Sequence, residues 1–465
     1  MPSAGAGPSS PVGSLLDTLP DEILIQIFGH LAIVGSVWEE DDPLQLTCLP
    51  YRQSDVEVMP STGLRGYPFL AQVCRKWRRL LATPMAQQLV WQRLCIDLGH
   101  ELVTSIHAPL RWSNQRPSNE EYQMALRRTS ISASKVLRFL GDVAPHVRAL
   151  ALANTEGFDG EDGQYVSLEN KHDFGPSHLG FALALLQKTL TKLVLYLCND
   201  MISADSGLWT LATQLPVLRV LEVEGLRVSV PDVQVAALGE LQKLEALALT
   251  GDEFRSGSGM SFGLEGIPAA WSRLTALTRL ELRGHPQLYE LPVWLTALGA
   301  LRHLDVSACE DMEVGSITQL TSLHVLVLQS MHMGHALPSP ADVASAALSD
   351  QELARHALPD LQPLAPCLRS LSLSNNRFTQ LPDWLYRLTR LEHLDVSYNR
   401  DLHVRAPLTG LASLPYIRLF DFRAVHVSKD KDFWCEAKCI TMQHLSKLAK
   451  ALKRRCPQPR LLLDI

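Results

Sequence analysis

Large apolar residues recur along most of this chain at positions one, four and six of a nine-residue frame, with polar residues between them. Seven clean frames begin at Leu244, Leu277, Leu301, Leu323, Leu368, Leu391 and Leu414, and three weaker ones begin at Val147, Leu190 and Leu218. Four of the six steps between clean frames are 22 to 24 residues long, and the steps from Leu244 to Leu277 and from Leu323 to Leu368 are 33 and 45 residues long. Alternation within each frame predicts a short strand with one apolar side, and the recurring spacing predicts a stack of similar units.

The best frames, LRSLSLSNN from Leu368 and LEHLDVSYN from Leu391, resemble the leucine-rich repeat family. LPVWLTAL and LPDWLYRL, from Leu291 and Leu381, resemble its plant and algal intracellular class. The resemblance implies a solenoid, with a curved parallel sheet on the concave side and an irregular or helical convex side. An asparagine at position nine is expected to bond to backbone groups of neighbouring repeats. We assign the solenoid to residues 146–425, with insertions at about 155–185, 251–268 and 332–366.

Near the amino terminus the period changes to that of a helix. In LPDEILIQIFGHL, from Leu19 to Leu31, the apolar positions cover a face too wide for one core-facing stripe. Pro20, Asp21 and Glu22 favour a helix start. A second amphipathic segment, FLAQVCRKWRRLL from Phe69 to Leu81, is basic on its polar side.

LPDEIL, then VCRKW, then Trp91 in a predicted third helix resemble the F-box, a helical module that attaches substrate receptors to the Skp-type adaptor of a cullin ubiquitin ligase. The two halves are separated by many more residues than the family usually has, so the module carries an acidic loop insertion at about 32–67. The resemblance implies that the adaptor is bound by Leu19, Pro20, Ile23, Leu24, Ile27, Phe28, Leu31, Val73 and Trp77.

The predicted fold class is therefore α/β, a helical F-box module followed by a leucine-rich-repeat solenoid. We expect a disordered segment at 1–14, the F-box at 15–100, a helical linker at 101–145 and a helical cap at 426–465. In the cap, Leu445, Leu448, Ala449 and Leu452 fall on one helical face, and the final RLLLDI is expected to add a strand.

Composition narrows the function classes. The chain has 465 residues and a formal net charge of -6, so we expect no nucleic-acid partner. It has no apolar run long enough to span a membrane and no secretory signal, so we expect a cytoplasmic or nuclear protein without membrane contact. The nine cysteines form no CxxC pair and are expected to be reduced.

Two apparent catalytic or metal signals are weak. Gly259, Ser261 and Gly263 form a literal G-x-S-x-G, but no strand is predicted to end just before the serine as a hydrolase nucleophile requires. The spacing of Cys435, Cys439 and Cys456 matches no common zinc pattern. We therefore expect no catalytic site, no metal and no cofactor.

The array is expected to bind a protein target on its outward strand positions. The candidates are Tyr196, Glu222, Glu224, Glu281, Arg283, His303, Asp305, His393, Tyr416, Arg418 and Phe420. The sequence thus favours a non-enzymatic substrate receptor that holds its target beside a cullin-bound conjugating enzyme. The alternative is a leucine-rich scaffold, in signalling or the cytoskeleton, whose F-box no longer docks.

Overall fold

The structure, a computed structural model, describes part of the chain. It describes residues 83, 92–97, 133–153, 174–196, 214–226, 229–230, 232–251, 263–310, 312–333, 358–378, 380–399, 402, 408–423, 427–428, 440–452 and 460–462. The segment at 1–14 that we expect to be disordered and the predicted acidic insertion lie outside these residues. So do all adaptor-binding candidates from Leu19 to Trp77, Ser261 and Cys435.

The first of two compact units contains three parallel strands, β1 (Arg93–Asp97), β2 (Ala149–Ala153) and β3 (Lys192–Tyr196). Leu94, Leu150 and Leu193 lie in register and are fully buried. Residues 93–97 fall within the region predicted as a helical module, but here they form a strand. The reason is that Leu94 and Ile96 continue the alternation of the later repeats and fill the same apolar layer.

Helices α1 (Ala133–Val143) and α2 (Pro176–Leu186) connect these strands and pack against each other. In α1, Val136, Leu140 and Val143 are buried at helical spacing, and Pro176 begins α2 at a position where no backbone donor is needed. The first lies in the predicted linker and the second in the predicted insertion at 155–185. Both lie between successive strands and form the helical convex segments of their repeats.

The second unit contains nine parallel strands in one sheet. In order, they are β4 (Val220–Leu226), β6 (Ala246–Gly251), β8 (Arg279–Arg283), β9 (His303–Asp305), β10 (Val325–Val327), β11 (Ser370–Ser372), β12 (His393–Asp395), β13 (Leu419–Asp421) and β16 (Arg460–Leu462). Leucines at frame positions one, four and six are buried almost completely, which forms one continuous core behind the strands.

Smaller elements complete this unit. β5 (Ser229–Val230) pairs with β7 (Gly263–Leu264), and β14 (Val427–Ser428) pairs with β15 (Ile440–Thr441). Helix α3 spans Asp232–Ala236 and helix α4 spans Met442–Leu452. No helix among the described residues is long and apolar enough to cross a bilayer.

Short 3-10 helices lie between successive strands on the opposite side of the core. They span Ala237–Glu240, Ala269–Arg273, Val293–Ala297, Gly315–Gln319, Gln362–Leu364, Asp383–Arg387 and Leu408–Ser413. Those of the predicted LPVWLTAL and LPDWLYRL segments follow Pro292 and Pro382 in extended backbone, and bury Leu295 and Leu385. A proline sets the extended entry and one leucine anchors each turn.

Frame registers agree with the sequence in every predicted frame except the last. Counting from Leu414 places Phe420 on the outward side, whereas the structure pairs Phe420 with Leu394 and buries it completely. The true frame begins at Ile417, and Phe420 and Phe422 take its leucine positions. Leu414 is also buried, but in the turn before the strand, so both frames show a plausible apolar pattern in the sequence.

The predicted asparagine ladder is present at position nine. Asn399 Nδ2 donates to the carbonyl oxygen of Leu373 at 2.9 Å, and Asn376 Nδ2 donates to that of Leu328 at 2.7 Å. Each accepting carbonyl belongs to position six of the preceding repeat. The ladder therefore joins successive repeats through buried bonds that water cannot replace.

At the carboxyl end, β16 pairs with β13, as the pattern of RLLLDI predicted. Leu448 and Leu452 of α4 are buried, and α4 packs against the turn at Leu408–Ser413. These two elements cover the last repeat, whose strand edge and apolar layer would otherwise be open.

Candidate binding surface

Alternate strand positions of the second unit point away from the leucine core and form what we call the open face. Because the strands are in register, equivalent positions align in columns across the sheet. The central column contains Glu222, Ala248, Glu281, Asp305, Val327, Ser372, Asp395, Asp421 and Leu462. Carboxylates are the commonest group in this column.

A charged network occupies the open face of β8 and β9. Glu281 is 4% exposed, and its Oε1 accepts from Arg279 Nε at 2.7 Å and lies 3.2 Å from His303 Nε2. Arg283 lies 3.4 Å from the other oxygen of Glu281 and 3.7 Å from Asp305 Oδ2. Five charged or titratable side chains thus meet on two adjacent strands.

The surroundings shift the pKa values of the two carboxyl groups of this network in opposite directions. Burial alone would raise the pKa of Glu281, but the hydrogen bond with His303 and the charges of Arg283 and Arg279 outweigh it and lower that pKa well below its usual range. Burial raises the pKa of Asp305 despite Arg283, and the negative charge of Glu281 adds to the rise. Glu281 is therefore the permanent anion, while Asp305 accepts a proton more readily.

Glu281, His303 and Asp305 each offer a ligand atom, and these atoms lie within 4.8 Å of one another. However, Arg279 and Arg283 already neutralise the carboxylates and would repel a cation. The geometry therefore favours an ion-pair network over a metal site.

A second polar network occupies β11, β12 and β13. Asp395 accepts from Ser372 Oγ at 2.9 Å and from the backbone and side chain of Ser397. Burial raises the pKa of Asp395 although these hydrogen bonds oppose it. Asp421, in register with Asp395, is held by Arg423 through two guanidinium nitrogens. The carboxylates here are organised by hydroxyls and one arginine.

Two polar atoms beside this network have no hydrogen-bond partner in the described structure. Ser370 is 3% exposed, and its Oγ and the Nδ1 of His393 are both buried and unbonded. The two residues are register partners on β11 and β12. Burial lowers the pKa of His393, so its imidazole is held in the neutral form. This spot retains hydrogen-bonding capacity that the fold does not use.

The structure separates the predicted target-binding residues into groups. Glu281, Arg283, His303 and Asp305 come together in the charged network. Glu222 and Glu224 lie on β4, and His393 lies on β12. Tyr196 is on β3, where its side chain lies outside the described residues. Tyr416 and Arg418 lie before β13 and are 53% and 61% exposed.

Phe420 is a correction, because a completely buried core residue cannot contact a target. The same frame error concealed Asp421 and Arg423, which lie at positions equivalent to Asp395 and Ser397. The pattern IRLFDF contains the signal, since only the frame from Ile417 aligns Asp421 with the aspartates of the earlier LDVS segments.

Comparison with known proteins supports the repeat. A family model described as Leucine Rich Repeat matches residues 367–388. No curated protein matches the chain.

The solved structures similar to this chain have low sequence identity to it. An internalin (inlF) from Listeria monocytogenes is 19% identical over 61% of this chain and 69% of that chain, with a TM-score of 0.34. TLR13 in complex with ssRNA13 is 18% identical over 65% of this chain and 40% of its own, with a TM-score of 0.36. The plant peptide hormone receptor RGFR1, in complex with RGF2, is 20% identical over 56% and 39%, with a TM-score of 0.33. At such scores, these likenesses carry no information about what this chain binds.

Proposed function

We propose that this chain is a target-binding subunit that recognises a protein on the open face of β8 to β13. The observation that carries the proposal is the charged network of Arg279, Glu281, Arg283, His303 and Asp305. Removing charged side chains from water costs free energy, and packing of the leucine core does not require charges on this face. Binding of a partner that completes the network would offset this cost.

The chemistry of the open face suits a protein surface. It combines paired charges, serine hydroxyls and the unbonded Ser370 Oγ and His393 Nδ1, which form a set of directional donors and acceptors. Directional hydrogen bonds and complementary charges give specificity between proteins. The proposed role is binding, and any reaction on the target belongs to a partner enzyme.

We further propose that the F-box segment at 15–100 attaches this module to a Skp-type adaptor and, through it, to a cullin scaffold in the cytoplasm or nucleus. The support is the sequence alone, namely LPDEIL followed by VCRKW. In this arrangement the chain holds its target near a conjugating enzyme, and proximity accelerates ubiquitin transfer.

Binding of the full chain to a purified Skp-type adaptor tests the attachment. Phe28→Ala is expected to weaken binding by at least about 2 kcal/mol, roughly thirtyfold, if Phe28 is a buried contact. Tyr416→Ala, in the solenoid, is the control and should bind like the wild type. If the wild-type chain does not bind the adaptor, the scaffold without a docking F-box is the better description.

The open face is tested separately by proximity labelling in cells. Arg283 is 39% exposed, and Arg283→Glu reverses one charge of the network; a thermal melt of the purified variant verifies that it folds. Proteins labelled by the wild type and lost with Arg283→Glu, but kept with Arg219→Glu on the sheet edge, are candidate targets. If the two variants label the same proteins as the wild type, the network does not recognise a target.

A further inference from the structure

A cluster of arginines lies at the edge of the sheet formed by the amino-terminal ends of the last strands, away from the open face. We call Arg369, Glu392, Arg418 and Arg460, with Arg390 and Tyr416 beside them, the edge cluster. Backbone bonds place its members side by side. Glu392 N donates to Arg369 O at 2.7 Å, Arg418 N to Glu392 O at 2.7 Å and Arg460 N to Arg418 O at 2.6 Å.

Positive charge exceeds negative charge in this cluster. Arg418 Nε lies 3.2 Å and Arg369 Nη1 3.7 Å from the same residue, Glu392, through its two oxygens. Among the described residues, Glu392 is the one carboxylate that pairs with the cluster's arginines. One carboxylate cannot neutralise two guanidinium groups, and Arg390 and Arg460 add two more.

In earlier repeats of this unit the edge positions carry single arginines. Arg302, before β9, donates to the backbone carbonyls of Gly299, Leu301 and Ser322. Arg219, at the equivalent edge position before β4, pairs one to one with Glu245 at 2.9 Å. Arg273 likewise pairs with Glu240 on the side of the 3-10 helices. The excess positive charge is therefore greatest in the last repeats, where one carboxylate accompanies four arginines.

The cluster is also accessible and partly ordered. Arg369 and Arg418 side chains are 58% and 61% exposed. The guanidinium of Arg390 lies over the Tyr416 ring, 5.4 Å from its centroid. This cation-π contact limits the freedom of both side chains, which lowers the entropy lost when a ligand binds.

We propose that the edge cluster binds an acidic segment of a partner protein. Arginine forms bidentate pairs with carboxylates, and the uncompensated guanidinium groups can accept such partners without a buried-charge penalty. This surface goes beyond the proposed target site, because it uses none of the residues of the open face.

A protein segment fits better than nucleic acid. The cluster spans four strands, or about 15 Å, which suits a short acidic stretch. Glu392 at its centre would repel a continuous phosphate backbone, whereas a peptide can place a neutral residue there.

The test measures binding of fluorescein-labelled poly-glutamate to the full chain by anisotropy at low ionic strength. The Arg369→Ala/Arg418→Ala double variant is expected to weaken binding about tenfold. Arg219→Ala is the matched control, since it removes an equally exposed edge arginine that has its own carboxylate, and it should bind like the wild type. A thermal melt of each protein verifies folding.

Three results would overturn the proposal. The first is no binding of poly-glutamate by the wild type, and the second is equal weakening by the double variant and by Arg219→Ala. The third is tighter binding of a single-stranded oligonucleotide with the same arginine dependence, which would assign the edge to nucleic acid. Failure here leaves the open face untouched, because the labelling test uses Arg283.

The chain's own acidic stretch is a competing occupant. A full-length variant with Glu39, Glu40, Asp41 and Asp42 changed to the corresponding amides should bind poly-glutamate like the wild type. If it binds more tightly, the edge cluster is occupied by this stretch, and a partner protein is not required.

Discussion

At the scale of single residues, position nine of each frame determines how consecutive repeats are joined. Asparagine fills it at 376 and 399, but His285 and Cys309 fill it in earlier repeats. His285 Nε2 bonds to the carbonyl of Leu249 at 2.8 Å, and Cys309 Sγ to that of Leu282 at 3.1 Å. Each acceptor is again position six of the preceding repeat. Three different side chains therefore perform one structural task, because each can donate one hydrogen bond from the same place.

The hydrogen bond that His285 makes to the preceding repeat contributes a stability that depends on pH. His285 is fully buried, and its Nδ1 accepts from Leu264 N at 3.2 Å while Nε2 donates to Leu249 O. Burial, partly opposed by the bond to Leu249, lowers its pKa to about 4 from 6.5. Above pH 6.5 the residue is neutral whether the chain is folded or unfolded. Below it, only the unfolded chain takes up the proton readily, so stability is lost as the pH falls from 6.5 towards 4.

We expect His285→Asn, which introduces the residue used at 376 and 399, to reduce this pH dependence. The difference in unfolding free energy between pH 6.5 and pH 4 should become smaller by up to about 3 kcal/mol. Denaturant unfolding at a series of pH values measures it. Parallel stability curves for the two proteins would show that His285 does not titrate in this range.

At the scale of elements, the sequence predicted strands and turns well, because each repeat has its own pattern of apolar positions. The frames from Val147 to Leu391 have the registers that were predicted, and the proline-leucine turns are short 3-10 helices. The last repeat was wrong by three residues. There, Leu414 and Ile417 both suit a first position, and only pairing with β12 selects Ile417.

The corrected register gives a direct stability test. Phe420→Ala should destabilise the solenoid by about 3–5 kcal/mol, because it leaves a cavity in the core. Tyr416→Ala, four residues earlier and 53% exposed, should cost less than about 1 kcal/mol. Chemical denaturation of the two variants distinguishes the frames. A loss with Phe420→Ala as small as that with Tyr416→Ala would restore the frame from Leu414, which places both side chains outward.

At the scale of the whole molecule, the second unit depends on its closing elements. Strand β16 satisfies the outer edge of β13, and α4 covers apolar residues of the last turn. A solenoid unit contacts mainly its neighbours, so the last unit lacks half of its contacts unless it is covered. Both elements come from the segment predicted as a cap.

A chain that ends after residue 439 should therefore melt at a temperature lower by more than about 5 °C and expose apolar surface that binds a hydrophobic dye. A chain that ends after Leu462 keeps both elements and should behave like the full protein. Calorimetry and dye fluorescence compare the three. An unchanged melting temperature in the shorter chain would show that the last repeat is stable without a cover.

The sequence by itself determined the repeat, its strands, its turns and most of its core, because a periodic apolar pattern encodes burial locally. It also supplied the F-box resemblance on which the proposed attachment rests. Only the tertiary structure decided which charges meet. Glu281 and His303, or Arg369 and Glu392, are distant in the sequence and become neighbours through strand register. Pairing, excess charge and pKa depend on those neighbours, and no single repeat contains that information.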